Sequence, residues 1–273
     1  MDYKIAYLSN SVSDGFPTVV TVSSSASPLL SIGSNADDPG PAAVGVFSAA
    51  PAAARTEAFA QATQRLMRSA ERKPAPALPG QVVRRLTVTS SSGTEQVRYA
   101  TEASTTDPEF SAAESEAIAL AQLLRQHPKA ALSGQSAFRP TGTERLDVTI
   151  KLVNVGVAPL AIPHPDVWGG GAVSITITAL RNDIPLAKLR NEHQRFVNLS
   201  TAQLTGTKPP LEPGRSITLT PSGEVTLIFT TALPLPSGGY DLWTTLETPI
   251  LDPQGARLMR VELVSVKAPW QVP

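Results

Sequence analysis

Apolar and polar residues alternate with period two in several short stretches of the first half of the chain. Tyr3–Leu8 and Thr18–Ser23 follow this pattern, and Gln81–Thr101 reads as a hairpin. In Ala52–Arg72 the apolar residues instead recur three, four and seven positions apart, which is typical of one face of a helix. Because strands and helices are mixed here, we predict an α+β domain over residues 1–131.

The second predicted helix has clear signals at both of its ends. Asp107 and Pro108 suit a cap and a first-turn proline, and Ser111–Glu114 matches a capping box. His127-Pro128 is expected to stop the helix. The apolar face is predicted from spacing as Ala117, Ile118, Ala121 and Leu124.

The second half changes character, with strand patterns and no convincing long amphipathic helix. Residues 132–144 carry turn-forming residues and little periodicity, so we predict a linker there. Several short strands with regular turns over residues 145–273 predict an all-β sandwich. The expected fold is therefore an α+β N-terminal domain followed by an all-β immunoglobulin-like sandwich domain.

Two segments of this half carry a resemblance to a known family. Leu146–Ile162 reads as a strand, Asn-x-Gly and an apolar turn, where we expect Asn154 and Gly156 to adopt positive φ. Leu211–Glu247 has the order Pro-Gly, strand, strand, Gly-Tyr, strand. Both are similar to immunoglobulin-like β-sandwiches of bacterial proteins, among them the intracellular proteinase inhibitor type. The resemblance implies a binding module and assigns no functional residue.

Composition narrows the classes of function. The 273 residues include 23 Lys+Arg and 23 Asp+Glu, so the formal net charge is zero. Direct nucleic-acid binding usually needs an excess of basic residues, which this chain lacks. We therefore expect no direct binding to nucleic acid. There is no cysteine, which excludes disulfides, cysteine-ligated metals and thiol catalysis.

The segment Ile162–Gly171, IPHPDVWGGG, is the densest group of chemically suggestive residues. One interpretation makes His164 a base, Asp166 its orienter and the glycines an oxyanion loop. However, the chain has no Gly-x-Ser-x-Gly nucleophile motif. We favour a sandwich corner in which prolines fix extended backbone and Trp168 packs on the sheet edge.

Metal and cofactor sites have no support in the sequence. The histidines His127, His164 and His193 fall on separate elements without ligand spacing, and no phosphate-binding glycine motif follows a strand. We therefore expect no metal, no cofactor and no catalytic residue. The polar run Asn191–Phe196 could recognise a partner, although a solvated loop explains it as well.

The leading hypothesis is a non-enzymatic bacterial inhibitor or immunity-type protein that blocks a toxin or hydrolase sterically. Its partner would be another protein, bound by loops on a rigid scaffold. Two alternatives stay open: a structural or adaptor subunit that associates through strand edges, and a hydrolase using scattered acids such as Asp166 with Glu192.

We expect a cytoplasmic protein without a membrane span, or a periplasmic one if a signal peptide has been removed. The candidate partner-binding residues are His164, Asp166, Trp168, Asn191, Glu192, His193 and Arg195.

Overall fold

The computed structural model describes residues 3–11, 15–40, 42–49, 52–70, 82–101, 107–141, 145–168 and 171–272. The chain divides into two compact units, one of residues 1–33 and 46–129, and one of residues 34–45 and 130–273. The helices are α1 (Ala53–Arg68) and α2 (Pro108–Leu124). The strands are β1 (Tyr3–Ser11), β2 (Thr18–Ser23), β3 (Leu29–Ile32), β4 (Val44–Ser48), β5 (Val82–Ser90), β6 (Glu95–Thr101), β7 (Pro128–Pro140), β8 (Arg145–Asn154), β9 (Leu160–Pro163), β10 (Ser174–Arg181), β11 (Gln194–Leu199), β12 (Leu204–Lys208), β13 (Ser216–Leu219), β14 (Glu224–Ala232), β15 (Gly238–Leu251), β16 (Arg257–Val264) and β17 (Ala268–Val272).

The predicted fold class, an α+β domain followed by an all-β immunoglobulin-like sandwich, is wrong. The described residues are mostly β, with 52% in strands and 19% in helices including 3-10 turns, and their strands fall in two large sheets. The prediction is wrong because it treats two helices with clear sequence signals as evidence of a separate α+β domain. In addition, residues 34–45 of the first half belong to the same compact unit as the second half.

The first unit is built on antiparallel strands in the order β3-β2-β1-β5-β6. Tyr7 of β1 pairs with Val20 of β2 on one side and Leu86 of β5 on the other. All three residues are buried, as the period-two pattern of these strands predicts. The predicted β5–β6 hairpin is confirmed, and Gly93 supplies the positive φ of its turn.

Helix α2 begins where the sequence places it. Asp107 is the N-cap, and its Oδ1 accepts hydrogen bonds from the backbone N–H groups of Glu109 and Phe110. The predicted apolar face is rotated, because Ile118 is 47% exposed. The buried stripe instead follows spacings of three and four through Phe110, Ala113, Ala117, Leu120 and Leu124.

Helix α1 packs against α2 in the same unit. Of the apolar residues at helical spacing in the sequence, Phe59, Ala62 and Leu66 are buried, whereas Met67 is half-buried and Ala70, beyond the helix end, is exposed. The helix ends at Arg68, before the predicted limit of Arg72. Neither helix in the described ranges is long and apolar enough to cross a membrane.

The second unit contains two groups of hydrogen-bonded strands. One has the order β12-β14-β8-β7, and the other runs β11-β10-β15-β9-β13, with β16 and β17 also pairing β15. Alternate residues of β8, β14 and β15 are buried, which places one face of each strand in the core.

Residues 132–140, in the segment predicted to be a linker, form most of β7. Residues 142–144 of that segment lie outside the described residues. The predicted ranges of the two domains and the linker stay a prediction.

The segment that the second unit takes from the first half is fixed by a buried asparagine. Asn35 donates from Nδ2 to the carbonyl of Val264 (3.1 Å) and accepts from the Val264 N–H at Oδ1 (2.6 Å). Ser34 adds a hydrogen bond from its hydroxyl to the carboxylate of Glu262 (2.5 Å). These paired bonds imitate a strand ladder, so they tie residues 34–40 to β16.

The turn after β8 is held by a side chain. Asn154 is fully buried, and its Nδ2 donates to the carbonyls of Ala158 (2.9 Å) and Leu219 (3.0 Å). Its Oδ1 accepts from the N–H of Gly156 (2.9 Å). The expectation of positive φ at Asn154 and Gly156 is wrong, because neither residue adopts it and Asn154 satisfies the turn through its amide.

Candidate partner-binding surface

The residues His164, Asp166 and Trp168 lie together in the corner that follows β9. Residues Pro165–Val167 form a single 3-10 turn, and His164 caps it by accepting the Asp166 N–H at Nδ1 (3.1 Å). His164 is only 6% exposed, and its Nε2 is buried as well. Its imidazole is therefore turned into the protein, where it orders the corner.

The other two side chains of this corner are also engaged. Asp166 accepts from the N–H of Gly214 (3.2 Å), and its Oδ2 lies 3.1 Å from the Nδ1 of His164. Trp168 donates from Nε1 to the carbonyl of Pro163 (3.1 Å) and stacks on Phe229 at a centroid distance of 6.2 Å. These contacts fit the sandwich corner that we favoured from the sequence. Gly169 and Gly170, part of the predicted oxyanion loop, lie outside the described residues.

The remaining predicted residues surround the start of β11. Asn191–His193 form one 3-10 turn, which His193 closes by accepting the N–H of Arg190 at Nδ1 (3.0 Å). Asn191, Glu192 and Arg195 are exposed. The sequence predicts a solvated loop here, but Gln194–Leu199 is a strand. The alternation of apolar and polar residues is short and is interrupted by Arg195 and Asn198, so the strand was missed.

Strand β11 lies at the edge of its sheet. It pairs with β10 on one side, and in the described ranges no strand pairs with its other side. In an antiparallel edge strand, alternate residues turn their N–H and C=O groups outward. β11 therefore offers a free row of backbone donors and acceptors.

Two aromatic residues, Phe196 of β11 and Trp243 of β15, lie on the outer face of the sheet, on either side of β10. Phe196 pairs with Thr178 of β10, which pairs in turn with Trp243 of β15. Phe196 is 62% exposed, whereas Thr178 between the two rings is buried. Trp243 points away from the face that Leu242 and Thr244 bury, and the Lys267 ammonium lies 5.0 Å from its ring centroid.

The charge around β11 is locally positive although the chain is neutral as a whole. Residues 186–199 include three exposed cations, Lys188, Arg190 and Arg195, and one acid, Glu192. Glu192 lies 3.7 Å from His193. This cluster of cations next to an exposed phenylalanine favours an acidic, partly apolar ligand.

The described residues contain no group of three His, Asp or Glu side chains able to hold a metal ion. Asp166 and Glu192, the acids considered for a hydrolase, make no hydrogen bond or ion pair with each other. Asp166 accepts from the Gly214 N–H, and Glu192 lies 3.7 Å from His193.

Sequence reasoning missed a partly buried polar cluster in the first unit. Tyr7 donates its hydroxyl to Glu114 (2.7 Å), and Arg84 donates to the other oxygen of that carboxylate (2.9 Å) and to the carbonyl of Thr101 (3.0 Å). The available signal was helical spacing, because Glu114 lies four residues after Phe110 and three before Ala117 on the buried stripe of α2. The prediction that Glu114 belongs to a capping box is wrong, because the N-cap of the helix is Asp107.

This cluster predicts a loss of stability at alkaline pH. Burial raises the pKa of Tyr7 above its ordinary value, and the hydrogen bond to Glu114 raises that pKa further. The folded phenol keeps its proton above pH ~10, where the unfolded phenol loses it. The free energy of unfolding should therefore fall by about 1 kcal/mol per pH unit above that point. Denaturant titrations of the wild type and Tyr7→Phe check this, since equal slopes against pH in both proteins would contradict it.

Comparisons with known proteins do not assign the chain to a family. No protein-family model matches it, and no curated protein matches it. The putative ApaA protein from Bordetella pertussis is 12% identical, over 54% of this chain and 98% of that chain, with a TM-score of 0.32. The structural-genomics target SoR45 is 10% identical, over 52% and 85%, with a TM-score of 0.30, and MHC-like MILL2 is 10% identical, over 97% and 99%, with a TM-score of 0.18. These TM-scores are too low to carry an argument about the fold or the function of this chain.

Proposed function

We propose that the protein binds another protein at the edge of β11 and acts as a bacterial inhibitor or immunity-type protein. The partner would add an extended segment to β11, with main-chain hydrogen bonds supplying affinity. Its side chains would cover Phe196 and place carboxylates near Arg190 and Arg195. The target would then be blocked sterically, without chemistry by this chain.

The single observation that carries this proposal is the exposure of Phe196 on an unpaired edge strand. Proteins usually protect such edges with charge, proline, bulges or a covering element, because a bare edge pairs with other chains. Here a large apolar side chain, 62% exposed, lies in the middle of the edge strand and in line with Trp243. Exposed aromatic residues flanked by polar ones are typical of interaction sites.

We place this activity in the bacterial cytoplasm, with the periplasm as the alternative. The resemblance of Leu146–Ile162 and Leu211–Glu247 to inhibitor-type modules supports an inhibitor over other binding roles, and remains part of the proposal. His164, Asp166 and Trp168 are left out of the proposed contact surface, because their side chains are engaged within the corner. The proposed surface keeps Asn191, Glu192, His193 and Arg195 and adds Phe196.

The proposal is tested by affinity capture from a lysate of the source organism with three immobilised proteins. These are the wild type, Phe196→Asp, and the matched control Val157→Asp, whose parent residue is 78% exposed in the turn between β8 and β9. A partner should be retained by the wild type and the control. Phe196→Asp should retain it at least about tenfold more weakly, as for a central interface residue.

The captured partner is then identified by mass spectrometry, and its activity is measured against added wild-type protein. A fall in that activity at stoichiometric amounts supports the inhibitor role. Equal retention by Phe196→Asp and the wild type would contradict the proposed surface. Recovery of the protein only as a homo-oligomer broken by Phe196→Asp would favour the structural or adaptor role instead.

A further inference from the structure

Strand β6 lies at an edge of the sheet in the first unit. It pairs with β5 on one side, and in the described ranges no strand pairs with its other side. Tyr99, in the second half of the strand, is 45% exposed. Edge strands present unpaired backbone N–H and C=O groups, which are a template for pairing with another chain. Glu95–Thr101 is therefore available, apart from β11, for the addition of a strand.

The register of the β5–β6 hairpin assigns the side chains of β6 to two faces. Arg98 pairs with the fully buried Leu86 of β5, so Arg98 and Gln96 lie on the inner face of the sheet. The outer face carries three residues of β6, namely Glu95, Val97 and Tyr99. On that outer face Tyr99 pairs with the exposed Arg85 of β5.

Three charged side chains of this edge have no ionic partner within the described part of the chain: Glu95, Arg85 and Arg98. The Arg98 guanidinium donates to the carbonyl of the neighbouring Val97 (3.3 Å), and its buried Nε has no hydrogen-bond partner. An inward-pointing charge usually protects an edge, because it makes most pairings unfavourable. A strand that pairs with β6 must therefore bring an acceptor to Arg98.

Two copies of β6 can pair antiparallel about a two-fold axis perpendicular to the sheet. Facing residues then share a face, so the axis passes through one position, which faces itself. An axis at Arg98 sets the two arginines against each other, which is unfavourable. An axis at Gln96 sets Glu95 against Val97, and one at Tyr99 leaves Gln96 outside the paired strands. An axis at Val97 instead sets Arg98 against Gln96 and Tyr99 against Glu95 of the second copy.

The register centred on Val97 brings together groups that satisfy each other. The Gln96 side-chain carbonyl of one copy accepts a hydrogen bond from the Arg98 guanidinium of the other, which has five N–H donors. On the outer face the Tyr99 hydroxyl donates to the facing Glu95 carboxylate, and the Arg85 cation lies beside the same tyrosine. Each contact occurs twice about the axis, so a second copy of the chain complements this edge.

We propose that two copies of the chain associate through antiparallel pairing of their β6 strands, centred on Val97. This interface is separate from the β11 surface and goes beyond the proposed protein-binding function. A single strand pair covers less than the ~1,200–2,000 Å² of stable interfaces. We therefore expect a weak dimer, with a dissociation constant of roughly 10–100 µM.

The register is tested by disulfide cross-linking, because the chain has no cysteine of its own. Facing residues of antiparallel strands have Cα atoms ~4.5–5.5 Å apart, which a disulfide spans. In the proposed dimer the two copies of Tyr99 lie four residues out of register, or ~13 Å apart. Under mild oxidation Val97→Cys should form a covalent dimer at least about tenfold faster than Tyr99→Cys. Ile118→Cys, at a 47% exposed position of α2, gives the rate of random collision.

The affinity is measured by sedimentation of the full chain at concentrations up to ~300 µM. The wild type should show a monomer–dimer equilibrium, and Phe196→Asp should dimerise equally well. Val97→Lys should raise the dissociation constant at least about tenfold, because like charges then face each other at the axis. The cysteine comparison keeps the test valid if circular dichroism shows that Val97→Lys folds poorly.

Three results would overturn the proposal. The first is a wild type that stays monomeric over the whole concentration range. The second is cross-linking of Val97→Cys no faster than that of Tyr99→Cys or Ile118→Cys. The third is a dimer that Phe196→Asp breaks and Val97→Lys leaves intact, because such a dimer forms through β11.

Discussion

Replacement of Asn154 by alanine is expected to lower the free energy of unfolding by about 3–5 kcal/mol. The substitution removes three hydrogen bonds from a fully buried side chain and leaves the Gly156 N–H and the carbonyls of Ala158 and Leu219 without their partner. Each buried polar group left unsatisfied costs ~1–3 kcal/mol. Chemical denaturation at neutral pH measures the change.

A matched control is Asn198→Ala, which removes an exposed asparagine of β11 whose side chain accepts one hydrogen bond from Thr176 (2.9 Å). That variant should change the free energy of unfolding by no more than about 0.5 kcal/mol. A loss below about 1 kcal/mol for Asn154→Ala would mean that the turn after β8 does not depend on the side chain.

Replacement of Glu114 by alanine is expected to cost about 3 kcal/mol. The hydroxyl of Tyr7 and the guanidinium of Arg84 would both lose the carboxylate, and Arg84 would keep only the carbonyl of Thr101, in a place where the side chains of Arg84 and Glu114 are 21% and 13% exposed. Breaking a buried ion pair by removing one member typically costs ~3–5 kcal/mol, and the partial exposure places this pair at the lower end.

The same helix provides the control for this prediction. Glu116 pairs with Arg55 at 3.4 Å, but the two side chains are 32% and 54% exposed, so Glu116→Ala should cost at most about 0.5 kcal/mol. Thermal and denaturant unfolding of both variants decide the matter. If Glu114→Ala and Glu116→Ala are equally stable, the buried cluster contributes nothing specific to the first unit.

Helix α2 could be predicted from the sequence because its start is a local signal. Asp107 and Pro108 determine the first turn without help from the rest of the chain. The buried face depends on tertiary contacts, which place Leu120 in the core and leave Ile118, two positions earlier, 47% exposed. Glu114 was misassigned for the same reason, since its partners Tyr7 and Arg84 lie far away in the sequence.

The strands that were missed lack a strong period-two pattern. In β7, the three consecutive buried residues Ala130, Ala131 and Leu132 break the alternation of buried and exposed positions. Gly134, which has no side chain, adds nothing to the pattern. β11 has only six residues and a polar outer face apart from Phe196. Membership of residues 34–45 in the second unit rests on Asn35, whose partner Val264 is 229 residues away, so no local pattern could predict it.

For the candidate site, the two segments singled out from the sequence differ in what the structure shows. In Ile162–Gly171 the sequence favours a sandwich corner over a catalytic loop, and the contacts of His164 and Trp168 are those of a corner. Asn191–Phe196 was valued as a polar loop, whereas its most distinctive features are an edge strand and the exposed Phe196. Whether a strand lies at the edge of a sheet depends on the order of the strands, and this order cannot be predicted from composition or residue spacing.

The most direct test of the central claim is hydrogen–deuterium exchange of β11 with and without the captured partner. Strand addition predicts that the amides of Gln194–Leu199 that face away from β10 gain strong protection in the complex, and that exchange in the corner at His164–Trp168 is unchanged. Protection confined to any other surface, with the β11 amides exchanging as fast in the complex as in the free protein, would contradict the account.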